Sequence, residues 1–109
     1  VADVLKILGQ SAPSATTETA LYTCPASTSA IVNTFTVCNR SATAATFRLS
    51  FDQGGGGTAN KDYVYYDLAI AGNDTFIATV GFTLAATDVM YVYASTGNLS
   101  FSAFGLERT

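Results

Sequence analysis

The chain has 109 residues, of which 49% are hydrophobic and only 12% charged, with a formal net charge of -3 and neither His nor Trp. The length fits one domain. Lacking His, it has neither the usual general base near neutral pH nor the commonest metal ligand, and a net negative charge with no basic run does not suit nucleic-acid binding.

In chain order, Val4–Leu8 reads as a short apolar strand, followed by a loop over Gly9–Thr17. Thr19–Cys24 is a second strand ended by Pro25, and Ala30–Cys38, with Ile31, Val32, Phe35 and Val37, is a third. A polar turn over Asn39–Ala44 leads to Ala45–Phe51, where Phe47, Leu49 and Phe51 alternate with Thr46, Arg48 and Ser50, the period of a strand with one buried face. A loop over Gln53–Asn60 carries the four glycines Gly54–Gly57. Lys61–Leu68 follows, placing Val64, Tyr66 and Leu68 on one face and Tyr63, Tyr65 and Asp67 on the other. Thr75–Val80 is a strand, Gly81–Asp88 a longer connection, and Val89–Ala94 a strand apolar on both faces. Thr96–Asn98 has the chemistry of a hairpin turn before Leu99–Gly105, where Leu99, Phe101 and Ala103 alternate with Ser100, Ser102 and Phe104.

About eight short strands spaced this way predict an all-β fold, an antiparallel β-sandwich with jelly-roll or immunoglobulin-like wiring. Residues 1–109 form a single domain, in which 1–11 is a candidate N-terminal arm or exchanged strand. Val1–Gln10 has one basic residue and no apolar h-region, so it does not read as a signal peptide, and no run of residues is long and apolar enough for a membrane span. The spacing of Cys24 and Cys38, read as a hairpin over Thr19–Cys24 and Ala30–Cys38, sets Cys24 opposite Ile31 and predicts two buried free thiols.

Chemistry-bearing patterns are weak. Asp52, Asp62 and Asp67 lie beside turns, where Asp is ordinary, and no third group completes a catalytic arrangement. Asn73-Asp74-Thr75 and Thr87-Asp88 match no calcium loop and read as Asx turns. The glycine run lacks the Lys-Ser/Thr of a phosphate loop, and fits a flexible loop or one that orders on a partner. The Asn39, Asn73 and Asn98 sequons read as turn chemistry. The chain is therefore expected to be no enzyme, with no catalytic residues, metal or cofactor.

The surface is more informative. With 16 Thr and 17 Ala but few charges, a lone monomer would be a poor colloid, which favours an assembly that buries part of the surface. Two sets of candidate interface residues stand out. Tyr63, Tyr65, Tyr91 and Tyr93 form alternating pairs that make a tyrosine patch if their strands are neighbours. Such a patch suits a protein interface, a sugar ring or the core. Val4, Leu5, Ile7 and Leu8 can add a strand to a neighbour's sheet or complete the chain's own sandwich.

The order of segments carries a resemblance. Leu8-Gly9-Gln10-Ser11 leads into "TETALYTCP" at Thr17–Pro25, then Val37-Cys38-Asn39-Arg40-Ser41, Ala71–Thr75, Leu84–Asp88 and "NLSFSAFGLE" at Asn98–Glu107. Over nearly its whole length the chain resembles small virion structural proteins of tailed bacteriophages, among them capsid decoration (cement) proteins. That resemblance implies a non-enzymatic β-sandwich on the capsid surface, a homo-oligomer, expected to be a trimer, whose partner is the major capsid protein, with no nucleic acid and no membrane. The rival it leaves open is a receptor- or glycan-binding β module of a tail fibre, neck or baseplate. It supplies no functional residue.

Overall fold

Nearly every segment between the turns is too short, and too rich in β-branched and aromatic residues, to do anything but pleat. A computed structural model describes residues 2–109. Among them nine strands form: β1 (Asp3–Ser11), β2 (Thr19–Thr23), β3 (Ser29–Asn39), β4 (Ala45–Asp52), β5 (Tyr63–Ile70), β6 (Thr75–Ala78), β7 (Phe82–Leu84), β8 (Val89–Ala94) and β9 (Leu99–Arg108). Two single 3-10 turns, Gln53–Gly55 and Asn60–Asp62, interrupt the β4–β5 connection. The ninth strand, β7, lies inside the connection expected over Gly81–Asp88.

The strands make two antiparallel sheets packed face to face, as expected of a β-sandwich. Sheet A has the order β1-β9-β3-β6, with β7 in line with β6 along β3, and sheet B the order β2-β8-β4-β5. Strands adjacent in space are mostly remote in sequence. The two hairpins that turn chemistry suggested do not form: β2 and β3 lie in different sheets, as do β8 and β9. Cys24 and Cys38 are both free, though not through a hairpin register: Cys24 lies against Leu84, which pairs with Ala30 at one end of β3, and Cys38 lies near the other end. Cys24 is buried, whereas Cys38 is half-buried.

Between the sheets, Phe35 and Phe101 from sheet A meet Phe47 from sheet B, with ring centres 6.1 to 6.3 Å apart. Each buried side chain of this size stabilises the fold by about 1.5–3 kcal/mol. Leu49, Met90 and Leu99 complete the centre of the core. At one end, Asn39 is buried and its amide donates to the carbonyls of Thr43 and Ala71, tying two connections together. This sequon asparagine is thus a structural clip.

Where the two sheets approach at β1 and β2, Gly9 lies so close to β2 that a Cβ there would overlap the Leu21 carbonyl. Next to it, a bulge at Leu8 turns that side chain into the core. The Tyr22 hydroxyl on β2 donates to Glu107 on β9 at 2.5 Å, and Lys6 on β1 reaches the other oxygen of Glu107 at 3.3 Å. Burial, reinforced by the Glu107 bond, pushes the Tyr22 phenol far above its ordinary range; the same bond, then Lys6, holds the Glu107 carboxyl below its own.

Candidate interaction surfaces

The outer face of sheet A is apolar at one end. β1 is hydrogen-bonded to β9 of its own sandwich from Asp3 to Ser11. Leu5 lies opposite Leu106, which lies opposite Ile31; the next outward row is Ile7, Phe104 and Thr34. Leu5 is 81% exposed, and Ile7, Ile31 and Phe104 are also exposed. A bulge at Asn33 on β3 and a glycine on β9 open a hollow of about 440 Å³ between these rows, lined by Leu5, Lys6, Ile31, Asn33, Phe104, Gly105 and Leu106. Gly105 is required there, because a Cβ would overlap the Ile31 carbonyl.

Sheet B presents a different outer face, covered at one end by its own chain. Ser50 and Asp52 point outward from the sandwich, yet are only 2% and 4% exposed. The glycine-containing loop lies on them. Gly57 N–H donates to the Asp52 carboxylate, and the Thr58 and Ser50 hydroxyls are 3.4 Å apart. Thr58 also donates to Glu18 at 2.7 Å, and Gly54 N–H to Asp88 at 3.0 Å. Asp62 accepts from the Ala59 N–H and from Lys61, contacts that hold its carboxyl below the usual range. These aspartates therefore fasten a loop.

Further along sheet B, Arg48 on β4 lies between two rings, its guanidinium carbon 4.2 Å from the centre of Tyr66 and 4.3 Å from that of Tyr93. Asp67 accepts from Arg48 Nε at 2.7 Å and from a second guanidinium nitrogen at 3.3 Å, and this pairing raises the Arg48 pKa. Tyr63 packs edge-on against Tyr66 with centres 4.8 Å apart, and Tyr91 lies opposite Ser50 on the same face. β5 and β8 are not neighbours, but β4 between them supplies the arginine that joins their tyrosines.

Of the candidate residues, Val4, Leu5 and Ile7 are exposed on β1, and Tyr63, Tyr91 and Tyr93 lie on the outer face of sheet B. Two point elsewhere. Leu8 is buried by the β1 bulge, and Tyr65 turns inward onto Phe47 and Phe76, with centres 6.2 and 5.2 Å away. Tyr66 takes its place outside, 58% exposed. Ile31, Phe104, Leu106 and Arg48 were missed; the only local signal was Phe104, an aromatic in the otherwise Ser-containing phase of its strand.

Among the described residues no group of three or more His, Cys, Asp or Glu is placed to hold a metal ion, and no helix is long and apolar enough to cross a membrane. Compared with protein-family models, curated proteins and solved structures, the chain matches none.

Proposed function

We propose that this protein is a non-enzymatic virion structural protein, a capsid decoration (cement) protein of the tailed-bacteriophage type. On this reading it acts as a trimer, binds the outer surface of the shell built by the major capsid protein, and stabilises it. The observation that carries the reading is the bare apolar end of the outer face of sheet A, a surface that an assembly covers, on a sandwich whose opposite face is partly closed by its own loop. A clamp works by contact area, and symmetry multiplies each modest contact into avidity. The strand orders β1-β9-β3-β6 and β2-β8-β4-β5 support it as well, because interleaving of this kind is jelly-roll wiring, which viral capsid domains use. The test is co-sedimentation with expanded capsids assembled from the major capsid protein of the same genome. Saturable binding and a raised capsid melting temperature are expected; no binding at excess protein would overturn the reading.

A second reading, a glycan- or receptor-binding module of a tail fibre, neck or baseplate, draws on the tyrosine cluster of sheet B. Lectin domains share the wiring. Binding on a glycan array that is lost in Tyr66→Ala or Tyr91→Ala would favour it over the first.

A further inference from the structure

We propose that the hollow on the outer face of sheet A is filled by a second copy of this chain, the projecting Leu5 of one copy entering the hollow of the next. This deepens the proposed function by naming the contact that makes the oligomer, and rests on that reading only for the existence of an oligomer.

Charge points to a like partner. Sheet A holds four charged residues among the described ones: Asp3 and Lys6 on β1, and Glu107 and Arg108 on β9. Its strands β3, β6 and β7 carry none. All four are paired within the chain, Arg108 with Asp3 at 2.7 Å and Lys6 with Glu107 at 3.3 Å. They cancel, so the whole net charge of -3 lies off this sheet. Two copies meeting through sheet A encounter no like-charge repulsion and leave no ion without its partner; meeting through sheet B or its loops, they would bring acidic surfaces together.

Shape and area agree. Leu5 is the most exposed large hydrophobic among the described residues, and the hollow of about 440 Å³ beside it has room for a side chain of that size. The apolar residues of the patch expose on the order of 400 Å², the size of the largest patch on a typical monomer, which is often functional. Two such patches with their polar rims of Lys6, Asn33 and Thr34 bury at most roughly 1,200 Å², which reaches the lower end of a stable interface. A two-fold axis pairs knob with hollow reciprocally, and a three-fold axis passes each knob to the next hollow and closes a ring.

The test is the mass of the full-length protein by sedimentation equilibrium, for the natural chain, for Leu5→Glu and Phe104→Ser, and for Val64→Glu, which alters an exposed apolar residue of β5 instead. Two or three protomers are expected for the natural chain and for Val64→Glu. The dissociation constant should rise at least about 30-fold in each sheet A variant, the scale of losing an interface hot spot. Leu5→Glu tests the contact without touching the core, and a far-UV circular dichroism spectrum matching that of the natural chain, with cooperative thermal unfolding, confirms the fold of its monomer. A monomeric natural chain at about 100 μM, well above the dissociation constant of a stable complex, or variants with unchanged mass, would overturn the inference. Capsid co-sedimentation of the same variants separates the two readings. An oligomer that ignores capsids leaves this contact standing and removes the cement function; sheet A variants that stay oligomeric but lose capsid binding assign the face to the shell and overturn it.

Discussion

Tyr22 ties the two sheets together at the side where their edges would otherwise part. Its hydroxyl and the Glu107 carboxylate are each suited to the other only in one protonation state; that bond is the main cause of the Glu107 shift, whereas for Tyr22 burial comes first and the bond adds to it. The folded Glu107 pKa is depressed, so its contribution is complete above the ordinary carboxyl value of 4.5 and is lost as pH falls below it. The folded Tyr22 pKa is raised, so its contribution is complete below the ordinary phenol value of 10.0 and is lost as pH climbs past it. Urea midpoints should therefore hold a plateau from about pH 5 to 9 and fall on both sides. Tyr22→Phe should flatten both flanks relative to the natural chain. Cys24, whose thiol is pushed up by burial, retains part of the alkaline loss, and Asp3 and Asp62, both held low by their partners, retain part of the acid loss. An unaltered pH profile in the Tyr22→Phe variant would show that the pair contributes nothing.

At the scale of the element, β5 shows where periodicity misleads. Tyr63 lies opposite Ser50 and Tyr65 opposite Leu49, so β5 spends two steps where β4 spends one, and Val64 is the extra residue. A second irregularity before Leu68 includes Asp67 at φ +50, a left-handed conformation that Gly, Asn and Asp adopt more readily than other residues. Each extra residue exchanges the faces of everything beyond it. Tyr65 thus packs on the core and Tyr66 on Arg48, the reverse of unbroken alternation. Tyr65→Ala should cost about 3 kcal/mol, as for a truncated core aromatic, and Tyr66→Ala about 1 kcal/mol or less, the worth of an exposed cation–π contact. Urea unfolding of the two variants checks this, and equal or inverted costs would return the tyrosines to the simple alternation. Strand β4, which carries no bulge, was legible in full: Phe47 and Leu49 face the core and Arg48 faces out, as their period required. Partners were not legible, because turn residues such as Thr96–Asn98 specify a bend and leave open whether the chain returns to the same sheet or crosses to the other.

Over the whole molecule, the topology sorts by side what composition reports only in sum. The eleven residues of β3 contain no charge, and that was visible in the sequence. What was not visible is that β1 and β9, about a hundred residues apart, would flank one another and cancel their charges beside it, since strand pairing at that distance is decided by packing. The result is a neutral, apolar sheet A and an acidic remainder. If sheet A makes the contacts, association should respond to salt as a hydrophobic contact does. Raising sodium chloride from about 0.05 to 0.5 M shortens the screening length severalfold. The oligomer dissociation constant should nevertheless change by less than about threefold, because the ions on the sheet are already paired in the chain. Sulfate, which strengthens burial of apolar surface, should tighten it. Sedimentation equilibrium across both salts reads this directly. An assembly that dissociates as sodium chloride rises would instead be held by charge, and in this chain the unbalanced charge lies on sheet B and the connecting loops.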